Sequence, residues 1–182
     1  MRWRAFASLL GFVACLAIFP AQAQTPWWQP VELRIGLAGH DVKPISSGRE
    51  AGAALNGELF WQPLFSGFDG RVVFKPSVGG SASLSGDTSY GFVDLTGEYW
   101  ALDWLYLDLG GGVAMHDGFT SNPPPDRKDL GSRVLFHVAA DVGAKLTPQF
   151  GLSIYFDHLS NAGLARKNEG LETIGLRAAL WF

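Results

Sequence analysis

The chain has 182 residues, of which 47% are hydrophobic and only 17% charged, with 23 Gly, 13 Phe and 7 Trp. Its formal net charge of −3 excludes the basic footprint of a nucleic-acid-binding domain, and its many aromatic and aliphatic residues exclude a disordered chain. Beyond the N-terminus no run of about 18 or more apolar residues occurs, which excludes helical membrane spans and leaves a β-rich globular domain or a membrane β-barrel.

Residues 1–23 read as a secretory signal. Arg2 and Arg4 supply the positive start, Leu9 to Phe19 the apolar stretch, and Ala21-Gln22-Ala23 a small-x-small cleavage site before Gln24. The only cysteine, Cys15, falls inside this segment. Phe12 stands where a lipid-attachment site prefers a small aliphatic residue. Removing the segment takes away two cations and no acidic residue, so the remaining chain is more acidic and has no thiol. An exported domain without disulfides must be stabilised by its core, a partner or a membrane.

From there the recurring period is 2, not 3.6. Strands are expected at 31–42, 51–62, 71–85, 89–101, 104–117, 131–147, 149–160 and 171–182. Each is long enough for a tilted membrane strand, and their number is even. In the first, Val31, Leu33, Ile35 and Leu37 oppose Glu32, Arg34 and His40. In the fourth, Val93, Leu95 and Tyr99 oppose Asp94, Thr96 and Glu98. In the sixth, Val134, Phe136, Val138, Ala140, Val142, Ala144 and Leu146 oppose Arg133, His137, Asp141, Gly143 and Lys145. A soluble sandwich also alternates. Here, however, the polar face mixes both charge signs with many glycines, as the interior of a small barrel does.

Gly79-Gly80 and Gly110-Gly111-Gly112 fall inside strands, where they permit tight curvature and leave room for large neighbours in the lumen. On these glycines alone a tightly bent soluble barrel stays open. Trp181-Phe182 ends the last alternating segment with aromatics, as outer-membrane strands do. The fold expected is an all-β, eight-stranded antiparallel transmembrane barrel of the bacterial outer membrane. The connections at 63–70, 101–103 and 147–149 include very short turns, which face the periplasm. The segments 43–50, 118–130 and 161–170 are longer and polar, and face outward, with 86–88 a short exception on that side.

The last two strands carry an anomaly. Phe150, Leu152, Ile154 and Phe156 share the lipid face, and the same parity continues to His158 and Ser160. In the last strand Ile174, Leu176, Ala178, Leu180 and Phe182 share that face, and one step back lies Glu172. Three polar side chains are thus expected to point out of the barrel near its outer rim, a costly place for unpaired polar groups. His158 and Ser160 are about 7 Å apart along one face, and a hairpin returns Glu172 beside them. Nucleophile, base and orienting carboxylate are the parts of an acyl-transfer site. Polarity common to any barrel rim is the competing reading, and alternation alone leaves both open.

The run His158-Leu159-Ser160-Asn161-Ala162, followed by Asn168-Glu169-Gly170-Leu171-Glu172, resembles the lipid A 3-O-deacylases of the PagL type. The resemblance implies an outer-membrane barrel with an exterior active site, in which Ser160, His158 and Glu172 form the triad. It places Asn168 at the oxyanion-hole asparagine, while Asn161 either assists there or caps the strand end. The implied reaction is hydrolysis of the ester holding a hydroxyacyl chain at position 3 of lipid A, without metal or other cofactor. The implied partners are lipopolysaccharide and the lipid of the membrane. Arg166 and Lys167 lie in the same loop and are candidates for lipid A phosphates, or ordinary solvated charges.

Elsewhere the signals are weaker. His40, His116 and His137 lack metal-ligand spacing and read as lumen or rim packing. Asp157 and Arg177 face inward by alternation. Asn122 to Lys128, with its Pro123-Pro124-Pro125, reads as a stiff external loop. A non-catalytic barrel serving adhesion or membrane integrity, and an outer-membrane phospholipase or acyltransferase, are the rival functions. The sequence leaves open the acyl-chain length, any latency in the intact membrane and pairing of the barrel as a homodimer.

Overall fold

Period-2 alternation obliges each strand to place its two residue sets on opposite faces of a sheet, and closing that sheet puts one set inside. The computed structural model describes residues 28–43, 45 and 48–182. The expected signal segment and Cys15 lie outside them. The strands are β1 Glu32–His40, β2 Ala53–Phe60, β3 Phe65–Gly67, β4 Val72–Ser83, β5 Tyr90–Trp100, β6 Leu105–His116, β7 Val134–Lys145, β8 Phe150–Ser160 and β9 Leu171–Trp181. They run β2-β1-β9-β8-β7-β6-β5-β4, every pairing is antiparallel, and β4 pairs back onto β2. The result is a closed barrel of eight long strands, which leaves no edge along the ring.

The short element β3 falls in the connection expected at 63–70, where the sequence reading placed no strand. Residues 65–67 form a three-residue strand that pairs with β4 alone, through Phe65↔Phe74. Phe68 and Asp69 adopt positive φ next to Gly70, and the tight turn brings the chain straight back. The strand expected at 131–147 is also shorter. Gly131 has φ 73°, so the chain enters β7 only at Val134.

The burial pattern is inverted relative to a soluble protein. Val93, Leu95, Val138, Val142, Ile154, Ile174 and Leu176 are exposed, while Glu32, Arg34, Lys75, Glu98, Asp108, Asp141, Asp157 and Arg177 are buried. Such a surface is stable only if the medium outside the barrel is apolar. Inside, charges compensate one another. Arg34 donates to Glu32 at 2.6 Å and to Asp108, and Lys75 bridges Glu32 and Glu98 at 2.7 and 2.6 Å. Arg177 donates to Glu58 at 2.8 Å and to Asp141. The Arg34 guanidinium also lies 4.5 Å from the Phe60 ring centre. Pairing of this density is what lets so many ions remain out of water.

Towards the outer end the lumen contents change. His137 Nδ1 meets Asp94 at 2.7 Å, its ring stacks on Phe92 at 4.1 Å, and beyond it a small apolar cluster includes Leu135, Leu159 and Leu171. Leu159 and Leu171 are register partners. They give β8 and β9 a firm inner backing at the level where His158, Ser160 and Glu172 face the other way.

Candidate active site

His158 and Glu172 stand directly opposite each other in the β8–β9 ladder, which places both side chains on the outer face. His158 Nδ1 is 2.7 Å from Glu172 Oε1. Committing Nδ1 to the carboxylate fixes the tautomer and leaves Nε2 as the ring nitrogen for proton transfer. The His158 side chain is 22% exposed and that of Glu172 is fully buried.

That burial modifies the expectation of a carboxylate open to the membrane. Glu172 keeps outward parity, but the His158 ring and the chain at Gly170 cover it. A Cβ added to Gly170 would fall 2.7 Å from His158 Cε1 and 3.5 Å from Glu172 Oε1. The missing side chain of Gly170 is therefore the space the imidazole occupies. The Glu172 carbonyl accepts from Val42 N at 3.1 Å, which ties this strand end to the segment after β1.

Ser160 follows two residues after His158 on the same outward face, at the end of β8, with Phe136 of β7 as its register partner. Ser160 Oγ makes no hydrogen bond to His158 in this arrangement. Such bonds are commonly long in free enzymes and tighten around substrate.

The loop after Ser160 is organised by Asn161. Its Oδ1 accepts from Gly163 N at 3.0 Å and Ala165 N at 3.3 Å, and its Nδ2 donates to Leu130 O at 2.9 Å and Lys167 O at 2.6 Å. Ala162 and Gly163 take positive φ within this turn. The Asn161 side-chain amide is thus spent on the loop. All four of these hydrogen bonds brace the loop at the end of β8.

Asn168 is placed differently. Its Oδ1 accepts from Asn161 N at 2.8 Å, which orients the amide and leaves the exposed Nδ2 with no hydrogen-bond partner among the described residues. Glu169 locks the far side of the loop, taking Asp129 N at 2.7 Å and Arg49 at 2.8 Å. Arg166 and Lys167 are exposed in the same loop.

Sequence reasoning missed the props of this arrangement. Lys128 is buried and donates through Nζ to Gly170 O at 2.6 Å while paired with Asp41 at 2.9 Å. Glu50 accepts from His40, Thr88 and the Lys128 backbone at about 3 Å. Despite its burial, these hydrogen bonds hold its carboxyl down at about 2. Apart from the pair of His40 and Glu50, these contacts join segments far apart in sequence, and local periodicity carries no trace of them.

The arrangement can be set beside known proteins. The family model for Lipid A 3-O-deacylase (PagL) matches residues 101–181, the stretch holding β6 to β9 and every side chain of the site. The lipid A deacylase PagL of Bordetella bronchiseptica is 29% identical over 177 residues, covering 92% of each chain. The chain resembles the PagL family, most closely over its last four strands. A crystal structure of the outer-membrane enzyme PagL superposes with a TM-score of 0.61 at 20% identity, covering 85% of this chain and all of that one. Neisserial surface protein A follows at a TM-score of 0.51 and 9% identity, over 83% of this chain and 96% of its own. The fold of this chain is thus the barrel of these outer-membrane proteins, in agreement with its apolar exterior and charged lumen.

Proposed function

We propose that this barrel is an outer-membrane serine ester hydrolase that removes the 3-O-linked hydroxyacyl chain of lipid A, as its likeness to PagL suggests, with Ser160, His158 and Glu172 as its triad. The observation that carries the assignment of residues is the 2.7 Å pair between His158 Nδ1 and Glu172 Oε1, on the lipid-facing side and two residues from Ser160. Residues 1–23 fit this reading as the export signal.

Ser160 Oγ attacks the ester carbonyl carbon as His158 Nε2 takes its proton. Glu172 holds the imidazole in place and stabilises the imidazolium that forms. The carbonyl oxygen becomes an oxyanion that Asn168 Nδ2 is oriented to meet, and one such donor is worth about 3 kcal/mol. The tetrahedral intermediate expels the sugar 3-hydroxyl, which receives the proton from His158. Water, deprotonated by the same nitrogen, then attacks the acyl-serine, releasing the hydroxy fatty acid and restoring Ser160. A substrate anchored in the outer leaflet reaches an exterior site by lateral diffusion, so no passage through the charged lumen is required.

Mass spectrometry of lipid A from cells carrying the wild type or Ser160→Ala tests this. Loss of one hydroxyacyl chain with the wild type alone supports both the reaction and the nucleophile. Unchanged lipid A in both, with the barrel folded, rejects them.

A further inference from the structure

We propose that Lys128 is a positioning residue of the triad: its buried ammonium fixes the Gly170 carbonyl, and with it the stretch of chain against which the His158 ring meets Glu172. The inference rests on His158 and Glu172 serving Ser160 in ester hydrolysis.

Gly170 lies where β9 has run out of ladder partners. On one side the last pair with β8 is Leu159↔Leu171. On the other, β1 pairs as far as His40↔Thr173, Asp41 then turns through a φ of 49°, and Val42 N reaches Glu172 O at 3.1 Å. By alternation the next carbonyl on that side is the one of Gly170. Two residues beyond Val42 the chain carries Pro44, which has no N–H to donate. Lys128 Nζ supplies the missing donor, at 2.6 Å from Gly170 O.

An ammonium is an unusual means of satisfying one carbonyl. At a barrel rim water does the same with little loss, whereas Lys128 is fully buried and needs Asp41 at 2.9 Å to offset its charge. What the lysine adds is fixity, because its own backbone is tied down on both sides. Lys128 N donates to Glu50 at 3.2 Å. Asp129 N donates to the Glu169 carboxylate at 2.7 Å, and Glu169 N returns a bond to Asp129 O at 3.1 Å. The Leu130 carbonyl accepts from Asn161 at 2.9 Å. Gly170 is thus pinned through its carbonyl to a rigid base, while the His158 ring lies so close to its Cα that an added methyl would be 2.7 Å from Cε1. If the carbonyl were free to swing, Gly170 would no longer hold the ring on Glu172, and a misplacement of about 1 Å in such a site costs about 10²-fold in rate.

The test uses the barrel purified in detergent, with hydrolysis of a p-nitrophenyl ester and labelling of Ser160 by an alkyl fluorophosphonate as readouts. Lys128→Met keeps the apolar stem and removes the donor. Asp41→Asn removes the partner charge but keeps an oxygen beside Nζ and the bond to Gly170. Folding is checked by the heat-dependent shift in gel migration of barrels. If Lys128→Met does not fold, because Asp41 is left buried and unpaired, the double variant with Asp41→Asn takes its place. The expected result is a fall in kcat of about tenfold or more without the lysine, KM staying within about twofold and the labelling rate falling with kcat. Asp41→Asn is expected to melt at a lower temperature and to label at nearly the wild-type rate. A folded lysine variant with wild-type kcat, or a fall as deep in Asp41→Asn, overturns the role of Lys128. If Ser160→Ala still abolishes hydrolysis, that leaves the triad standing. Hydrolysis that survives Ser160→Ala removes the triad, and the positioning role with it.

Discussion

Asp157 and Thr173 face each other inside the barrel directly behind His158 and Glu172, each one residue along its strand from a member of the outer pair. Asp157 Oδ1 accepts both the backbone N–H of Thr173 at 3.0 Å and its hydroxyl at 2.5 Å. Its other oxygen accepts from Tyr155 at 2.7 Å and from Tyr90. A one-residue slip of β9 against β8 would break both bonds to Thr173 and turn Glu172 inward. The inner pair therefore fixes the register on which the outer pair depends. Thr173→Val keeps the shape and removes one of these bonds. It is expected to lower barrel stability by about 1–2 kcal/mol and to reduce kcat more than it raises KM, since it touches no substrate. Thermal unfolding and kinetics on a lipid substrate check both.

Glu172→Gln preserves volume but abolishes the charge that stabilises an imidazolium on His158. The rate of acyl-serine formation is expected to fall by about three to four orders of magnitude, with substrate binding little altered. Single-turnover measurement of acylation, with folding verified separately, distinguishes this from a loss of structure.

Gly170→Ala makes the complementary case by sterics. The added methyl would lie 2.7 Å from the imidazole and 3.3 Å from Leu159 O, so either the ring or the chain must move. Because the ring is the softer of the two, His158 is expected to lose its contact with Glu172 and activity to fall at least tenfold, with the barrel intact. A variant as active as wild type would show that the ring is not constrained there.

The barrel was legible in the sequence because period 2 repeats in every strand and its polarity can be read from single residues such as Arg34, Asp141 and Arg177. Parity alone also places His158, Ser160 and Glu172 on one face. The burial of Glu172 was not legible, for the His158 ring and the chain at Gly170 lie against it, and no periodicity encodes that contact. Nor was the use of Asn161 as a loop brace, because its partners Leu130 and Lys167 are set by how two outer loops meet. The short strand at 65–67 escaped because three residues are too few to show a period.

The two asparagines of that loop should separate cleanly. Asn168→Ala removes the amide oriented towards the ester together with one hydrogen bond, that from Asn161 N, and kcat is expected to fall by about 10²–10³ with a stability loss of only about 1 kcal/mol. Asn161→Ala removes four hydrogen bonds of the loop and is expected to cost stability as well as activity. Differential scanning of the two variants beside their kinetics decides. Equal stability losses would mean that Asn168, too, is chiefly structural.

Glu50 gives the outer loops a pH dependence of known sign. Its carboxyl sits near 2 in the folded protein, against an ordinary value of 4.5, because His40, Thr88 and the Lys128 backbone donate to its ionised form. A group whose folded value is depressed contributes its full stability above the ordinary value and loses it as pH falls towards the folded one. The loops around 41–50 and 128–131 should therefore loosen between about pH 4.5 and 2, well below neutrality. Since Lys128 also holds Gly170, the loosening reaches the site through that lysine. Hydrogen exchange at residues 128–131 across this range is expected to accelerate in the wild type. In Glu50→Gln, which has no charge to lose there, it should be fast already at neutral pH and nearly flat as the pH is lowered. A parallel slope in both proteins would assign the acid sensitivity to another carboxylate.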